Sequence, residues 1–453
     1  MAQPKTVNIA EVIESQEKSW FTLSLFLMCC LVMLVDGFNQ QSLNYAAPAI
    51  IKDWGINRAL MTPVFDINIF GWMLGSIGFS MLADRIGRRN SILLAVFIFG
   101  VFTAAMPLAT NLVQLSVIRF ISALGIGGGM PMAISLLADY AQTKNRGLMV
   151  TLLYLGYTGG SSGGGFLAAA LTPNYGWKSV FLVGGIVSLL IGVLLFFALP
   201  ESVRFLVLKR GSRERILEYA RKLKPHADFA PDTEFTIQEK PKQGVPVKHL
   251  FTEGRTAMTV FLWLALGFSF VTHFFLSAWL TTLLSEYSNQ TSIPNAQMTS
   301  ALFQMGAGFA FCVGYMLDKR GIPAITWILL LGALPVAALG LVSGTGAMMV
   351  LALAAGIPVL GGGIGLNAVS SMIYPTSIRS TGTGSAFAAA RIGALLGPAI
   401  AGYLIYVETP LPLIFLAGAL PMLAAAATSF MLDRSMTSDA QREMASRSAL
   451  ARH

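Results

Sequence analysis

Apolar residues fall into long runs along this 453-residue chain, each about the length a helix needs to cross a bilayer, roughly 20 residues. Twelve such runs are read, near 21–45, 61–82, 91–110, 112–137, 147–171, 178–199, 257–284, 297–317, 324–343, 347–371, 380–405 and 411–432. The pattern predicts an all-α membrane protein with twelve transmembrane helices. A polar stretch divides them six and six. The expected organisation is a segment 1–20, a six-helix bundle 21–199, a linker 200–256, a second bundle 257–432 and a tail 433–453. Ile9, Val12 and Ile13 permit a short helix before the first run, and a disordered tail fits equally; Arg213–Leu223 reads as a helix in the linker.

Polar residues inside the runs are the next signal. Asp36, Gln40 and Asn44 recur at four-residue steps, which sets three polar side chains on one face of the first helix. A carboxylate in hydrocarbon costs several kcal/mol, so such a stripe is expected to face a water-filled cavity. Arg119 stands about 10 Å into the fourth helix at 1.5 Å per residue, and Arg391 lies near the middle of the eleventh. His273 is the one histidine within a run.

Composition narrows the class. Hydrophobic residues make up 55% of the chain and charged residues only 12%, where a soluble domain carries about 25%. The net charge of +9 does not point to nucleic acid, because the bases lie in the loops. With the amino terminus placed in the cytoplasm, 26 Lys/Arg fall on that side and 3 (Lys52, Arg58, Lys178) on the other. Both termini are therefore expected in the cytoplasm, in a cytoplasmic (inner) membrane, with basic loops touching anionic lipid. Cys29, Cys30 and Cys312 all sit in apolar runs, so neither a disulfide framework nor a metal site is expected. The glycine-rich runs lack the lysine and Ser/Thr of a nucleotide loop. No nucleophile–base pair points to an enzyme, and no cofactor is called for beyond a proton gradient. Asn289-Gln-Thr291 matches a glycosylation sequon without other support.

The two halves repeat. Asp84-Arg85-Ile86-Gly87 returns as Asp318-Lys319-Arg320-Gly321, Gly127–Gly129 as Gly361–Gly363, and Tyr140 as Tyr374, all at an offset of 234. Duplicated bundles are the architecture of rocker-type transporters, with substrate bound near the midplane.

Six plus six helices and the loop Ala83-Asp84-Arg85-Ile86-Gly87-Arg88-Arg89 with its second copy resemble the major facilitator superfamily. One departure is Ser80, where the motif usually has glycine; the second copy keeps Gly314. Asp36-Gly37-Phe38-Asn39 and Arg119 to Gly127-Gly128-Gly129-Met130-Pro131 resemble the first and fourth helices of the aromatic acid:proton symporters. Leu199-Pro-Glu-Ser-Val-Arg204 and Tyr374-Pro-Thr-Ser-Ile-Arg379, running to Arg391, fit as well. The resemblance implies proton-coupled import of a small aromatic carboxylate by alternating access, by a protein expected to act as a monomer. In that signature the fourth residue is Asp; here it is Asn39, so coupling in this helix would fall to Asp36 alone.

Candidate roles follow. Asp36 is the proton-coupling carboxylate, since its protonation can respond to alternating burial and charge; the plain alternative is a fixed ion pair. Arg119 and Arg391 are candidates for the substrate carboxylate or for balancing Asp36, because guanidinium offers a bidentate fork. Gln40, Asn44, His273, Tyr157 and Trp279 are candidates for ring stacking and hydroxyl recognition. Asp84, Arg85, Gly87, Arg88, Arg89, Asp139, Arg146, Asp318 and Lys319 are read as conformational residues that bias a two-state equilibrium, or as simple topology signals. Transport of another organic anion, export, and a non-transporting sensor are the rival readings.

Overall fold

In the computed structural model the chain is almost entirely helical. It describes residues 6–17, 19–209, 211–227, 229–230, 233–237, 247–252, 254–287, 291–374 and 378–436. The sequon residues Asn289 and Gln290, the loop residues 375–377 and the tail beyond 436 lie outside them.

A short strand β1 (Thr6–Asn8) leads into α1 (Ile9–Glu14), and the first span is α2 (Trp20–Trp54). Then come α3 (Thr62–Ile86), α4 (Arg88–Ala105), α5 (Leu112–Tyr140) and α6 (Thr143–Ala198). The linker holds α7 (Val203–Leu208), α8 (Arg213–Leu223) and β2 (Glu234–Thr236). The second half contains α9 (Thr256–Thr282), α10 (Ile293–Met305), α11 (Ala310–Arg320), α12 (Ile322–Ala338), α13 (Thr345–Ile373), α14 (Arg379–Tyr406) and α15 (Leu411–Arg434).

Ten stretches among the described residues are long and apolar enough to cross a membrane, and α12 is a shorter apolar helix. The 56-residue α6 would be about 84 Å long, far beyond a bilayer. It breaks at Gly176, whose φ of 71° no other residue type adopts without strain, with Pro173 one turn earlier. Two spans result, and the total is twelve. The fifth and sixth runs, expected as separate helices, lie on either side of that non-helical residue. The first span is longer than expected, reaching Trp54. Large apolar side chains left exposed on the helices, such as Leu190, Phe197, Leu331 and Leu334, face what must be lipid, since water would penalise such a surface.

The repeat is visible in the backbone. Gly87 and Gly321 both adopt a left-handed φ (95° and 68°) before α4 and α12. Tyr140 and Tyr374 are both fully buried, each bonding through its hydroxyl, to the Glu201 carbonyl and to the Thr259 hydroxyl.

Backbone proximity groups the chain into two compact units, and these cut across the two expected bundles. One comprises residues 1–40, 70–160 and 181–242; the other comprises 41–69, 161–180 and 243–453. In the first, β1 pairs in parallel with β2, Thr6 opposite Glu234. Ile9, Val12 and Ile13 of α1 are buried with Ile216, Ala220 and Leu223 of α8. The segment before the first span is thus a built element, because its three apolar residues find a matching stripe on the linker helix. In the second unit, glycines allow close backbone approach: a Cβ at Gly393 would come within 2.0 Å of the Gly267 carbonyl oxygen.

Glu14 fastens the amino-terminal segment to the start of α6. Its carboxylate accepts from the Thr143 N–H (3.0 and 3.1 Å) and from the Thr143 hydroxyl. These donors hold the Glu14 carboxyl below its ordinary value. The contact is therefore fully present above the ordinary glutamate pKa of about 4.3 and is lost as pH falls through the lowered value. Amide exchange of residues 9–14 should stay slow from neutral pH down to that range and accelerate only below it. Glu14→Gln should flatten this dependence.

Candidate functional site

In the first unit the site is built where α2, α5 and α6 meet. Asp36 is 1% exposed, and its Oδ2 accepts the Met130 N–H of α5 at 2.9 Å. Tyr157 on α6, half-buried, has its phenol within electrostatic reach of that carboxyl. Arg119 is fully buried; its Nη2 donates to the carbonyls of Asn39 (2.9 Å) and Gln40 (3.0 Å), so the guanidinium is tied to the α2 backbone. Among the described residues of this unit, no cation lies within ion-pair distance of Asp36. The expected pairing of Asp36 with Arg119 is therefore not formed; carbonyl oxygens take the guanidinium, and a backbone amide takes the carboxyl.

Asn39 has a structural explanation. Its Nδ2 donates to the Val35 carbonyl (2.7 Å) and to the Ser188 hydroxyl (2.8 Å), joining α2 to α6. An ionised aspartate could make neither bond, having no proton to give. Gln40 is buried on the same face of α2.

In the second unit, Asn44 donates to Gln41 Oε1 (2.5 Å) within α2, and Tyr45 donates to the Ser161 carbonyl (2.7 Å). Gln297 on α10, a residue not singled out from sequence, donates to the Tyr45 carbonyl (2.9 Å) and the Thr172 hydroxyl (3.1 Å). Trp279 is fully buried, its indole N–H bonded to the Pro398 carbonyl (3.1 Å) and its ring edge-on to Phe65. That environment satisfies it as a packing residue. His273 is half-buried beside Phe270 and Phe274, with ring centroids 5.7 and 4.7 Å away. Arg391 is half-buried on α14, a helix packed extensively on α9. Phe270 and Phe274 were passed over because apolar residues on an apolar helix carry no pattern of their own.

The loop motif forms one connected cluster. Arg88 reaches Asp84 (3.8 Å) and Asp139 (3.5 Å), and Asp139 also accepts from the Ser202 hydroxyl (2.5 Å). Arg89 donates to the carbonyls of Leu199 (2.7 Å) and Phe196. Arg146 donates to the Ala141 carbonyl (3.5 Å), and Arg85 is exposed. At the centre is Glu201, whose Oε1 accepts the N–H groups of Arg88 (2.9 Å), Arg89 (3.1 Å) and Ser202 (2.8 Å). The Arg88 and Arg89 amides, the first of α4, have no partner within their helix, and its N-cap, Gly87, has no side chain to offer. A carboxylate from the end of the sixth span supplies the cap and suits the positive end of the helix dipole. In the second copy, Asp318 is exposed and Lys319 lies over the Tyr315 ring (4.5 Å). Sequence reading assigned Glu201 only to a motif; its capping role needed the fold.

Comparison with known proteins adds a separate finding. The family model described as "Major Facilitator Superfamily" matches residues 29–372. A gallate transporter of Pseudomonas putida is 34% identical, aligned over 93% of this chain and 94% of its own. The 4-hydroxybenzoate transporter PcaK of the same species is 33% identical over 87% and 88%. Among solved structures, a bacterial homolog of the human lysosomal transporter Spinster, inward-facing and unoccupied, superimposes with a TM-score of 0.74 at 17% identity. It covers 93% of this chain and 98% of its own, which is a likeness of fold alone.

The cap makes a stability prediction. Glu201→Ala strands three N–H groups and should destabilise the protein by about 2–4 kcal/mol, read as a lower unfolding midpoint in detergent. Glu201→Gln keeps one acceptor oxygen and should fall between the two.

Proposed function

The chain belongs to the Major Facilitator Superfamily, and on that premise we propose that it imports a small aromatic carboxylate together with protons, by alternating access. It is a multi-pass membrane transporter, not an enzyme. The observation that carries the substrate class is similarity over nearly the whole chain to transporters of gallate and 4-hydroxybenzoate. The excess of Lys/Arg in alternate loops supports a cytoplasmic-membrane protein with both termini inside.

Proton coupling rests on Asp36. A coupling group must gain and lose a proton as access alternates, and it must be held where protonation changes what is stable. Asp36 is the carboxyl buried in the first span, with a backbone amide and, among the described residues of its unit, no ion partner. A fixed ion pair would suppress titration; a single neutral donor leaves both protonation states accessible. The proton enters on Asp36 from outside and leaves to the cytoplasm.

The substrate anion pairs with Arg391, whose half-burial leaves it reachable. Phe270, His273 and Phe274 on α9 offer the aromatic surface and the hydrogen-bonding nitrogen that a hydroxylated ring requires. Arg119 acts by holding the α2 backbone through its two carbonyl contacts. The cluster around Glu201, Arg88 and Asp139 keeps the helix ends of the first half together while the transporter changes state.

The test is uptake of labelled gallate, 4-hydroxybenzoate and benzoate into proteoliposomes, with and without an inward proton gradient. At least one acid should accumulate only with the gradient, and Asp36→Asn should abolish accumulation at unchanged protein level. Accumulation by Asp36→Asn at the wild-type rate would sink the coupling assignment. Arg391→Lys, which loses the planar fork, should raise KM about tenfold or more, the effect of losing about 1.4 kcal/mol.

A further inference from the structure

Each glycine of the α5 triplet meets a different neighbour. A Cβ on Gly127 would stand 2.2 Å from the Trp72 carbonyl oxygen, and one on Gly128 would stand 2.4 Å from the Phe79 ring. Those two serve helix packing. A Cβ on Gly129 would instead stand 2.6 Å from Asp36 Oδ2. The same oxygen accepts the N–H of the next residue, Met130, at 2.9 Å. Pro131 follows inside the helix. It has no N–H for the Gly127 carbonyl, so the turn carrying Gly129 and Met130 is one intrahelical hydrogen bond short.

The repeat supplies an internal control. At the offset of 234, Gly363 corresponds to Gly129, Phe270 to Asp36 and Gly365 to Pro131. A Cβ on Gly363 would meet the Phe270 ring and the Ser269 hydroxyl at 3.5 Å, an ordinary contact. The second half thus keeps the glycines without the proline, the carboxylate or the tight fit. The close approach at Gly129 belongs to the half that carries Asp36.

We propose that Gly129 and the Met130 N–H form a backbone seat that fixes the Asp36 carboxyl and sets the pH at which it exchanges its proton. Gly129 is a positioning residue in this scheme, acting through Asp36, and the proposal rests on the reading of Asp36 as the coupling group. Facing the carboxyl from the packed elements are Tyr157 of α6 and the Met130 amide of α5; the Arg119 guanidinium of α5 is engaged with the carbonyls of Asn39 and Gln40. The amide donor favours the charged carboxylate. A methyl group at residue 129 occupies the place of Oδ2 and drives the carboxyl off the donor. The displaced atom is the end of a rotatable side chain, so the fold tolerates the change. The nearest atom outside Asp36, on the Phe99 ring, would be 3.7 Å from the methyl.

The experiment compares wild type, Gly129→Ala, Gly363→Ala and Asp36→Asn in proteoliposomes, with 4-hydroxybenzoate as the probe or gallate if only that acid is transported. Gly129→Ala should insert normally and retain substrate exchange in the absence of a gradient. The alkaline limb of its gradient-driven uptake should move to higher pH by about half to one unit, the size expected for one hydrogen bond. Gly363→Ala should keep the wild-type profile. An unchanged profile for Gly129→Ala while Asp36→Asn is inactive overturns the seat alone. Failure of Gly129→Ala to reach the membrane also overturns it, since the methyl would then be meeting more than a mobile carboxyl. If Asp36→Asn itself still accumulates substrate, the reading beneath the proposal falls with it.

Discussion

A carboxyl group with 1% exposure inside a membrane span has to be accommodated by its surroundings, and much of the first unit follows from how that is done. The partner of Asp36 is a backbone amide rather than a cation. An amide carries no net charge, so it steadies the carboxylate without locking it ionised. To reach it, the side chain needs the space that Gly129 leaves open. Neighbouring polar groups are then settled separately: Arg119 on two carbonyls of α2, and Asn39 on Val35 and Ser188. The Arg119 Nη2 and the Asn39 Nδ2 are each used where they lie, as the absence of water favours.

The same requirement explains the loop between α3 and α4. A tight turn there needs a residue at positive φ, which selects Gly87, and glycine cannot cap the helix it begins. Glu201 caps from the far end of α6 instead, and that ties two spans together at one atom. The basic residues of the motif surround this point and bond carbonyls and carboxylates from Leu199 to Asp139. The amino-terminal segment closes onto the same region, through Glu14 on Thr143 and Gln16 on the Tyr140 carbonyl (2.7 Å). Its apolar stripe is buried with that of α8.

The second unit shows why membrane helices of this kind are rich in small residues. Gly393 against Gly267, Gly356 against Phe303 and Gly402 against Thr62 all bring helices closer than any side chain would permit. Hydrogen bonds such as Gln297 to Tyr45 and Trp279 to Pro398 are enclosed among these helices. Lipid offers no hydrophobic drive for helices to associate, so close packing and enclosed hydrogen bonds supply it.

The number of spans, the duplication and the buried carboxyl could all be read from the chain, because each is a one-dimensional signal. Run length reports bilayer thickness, a fixed offset reports the repeat, and a charge in an apolar run is conspicuous wherever it falls. The kink at Gly176 was legible as a break between runs, but its positive φ was not, since glycine adopts either sign. Partners were not legible at all. Asp36 and Arg119 invite pairing by charge, and only the tertiary structure shows them bonded to different parts of the backbone. Trp279 looked like a ring to stack on substrate, and the fold encloses it. Gly129 and Glu201 carried motif membership and no assigned task. Sequence determined which groups are unusual for their surroundings. The tertiary structure decided what each one touches, because backbone amides and carbonyls are present at every position and only their placement in space selects among them.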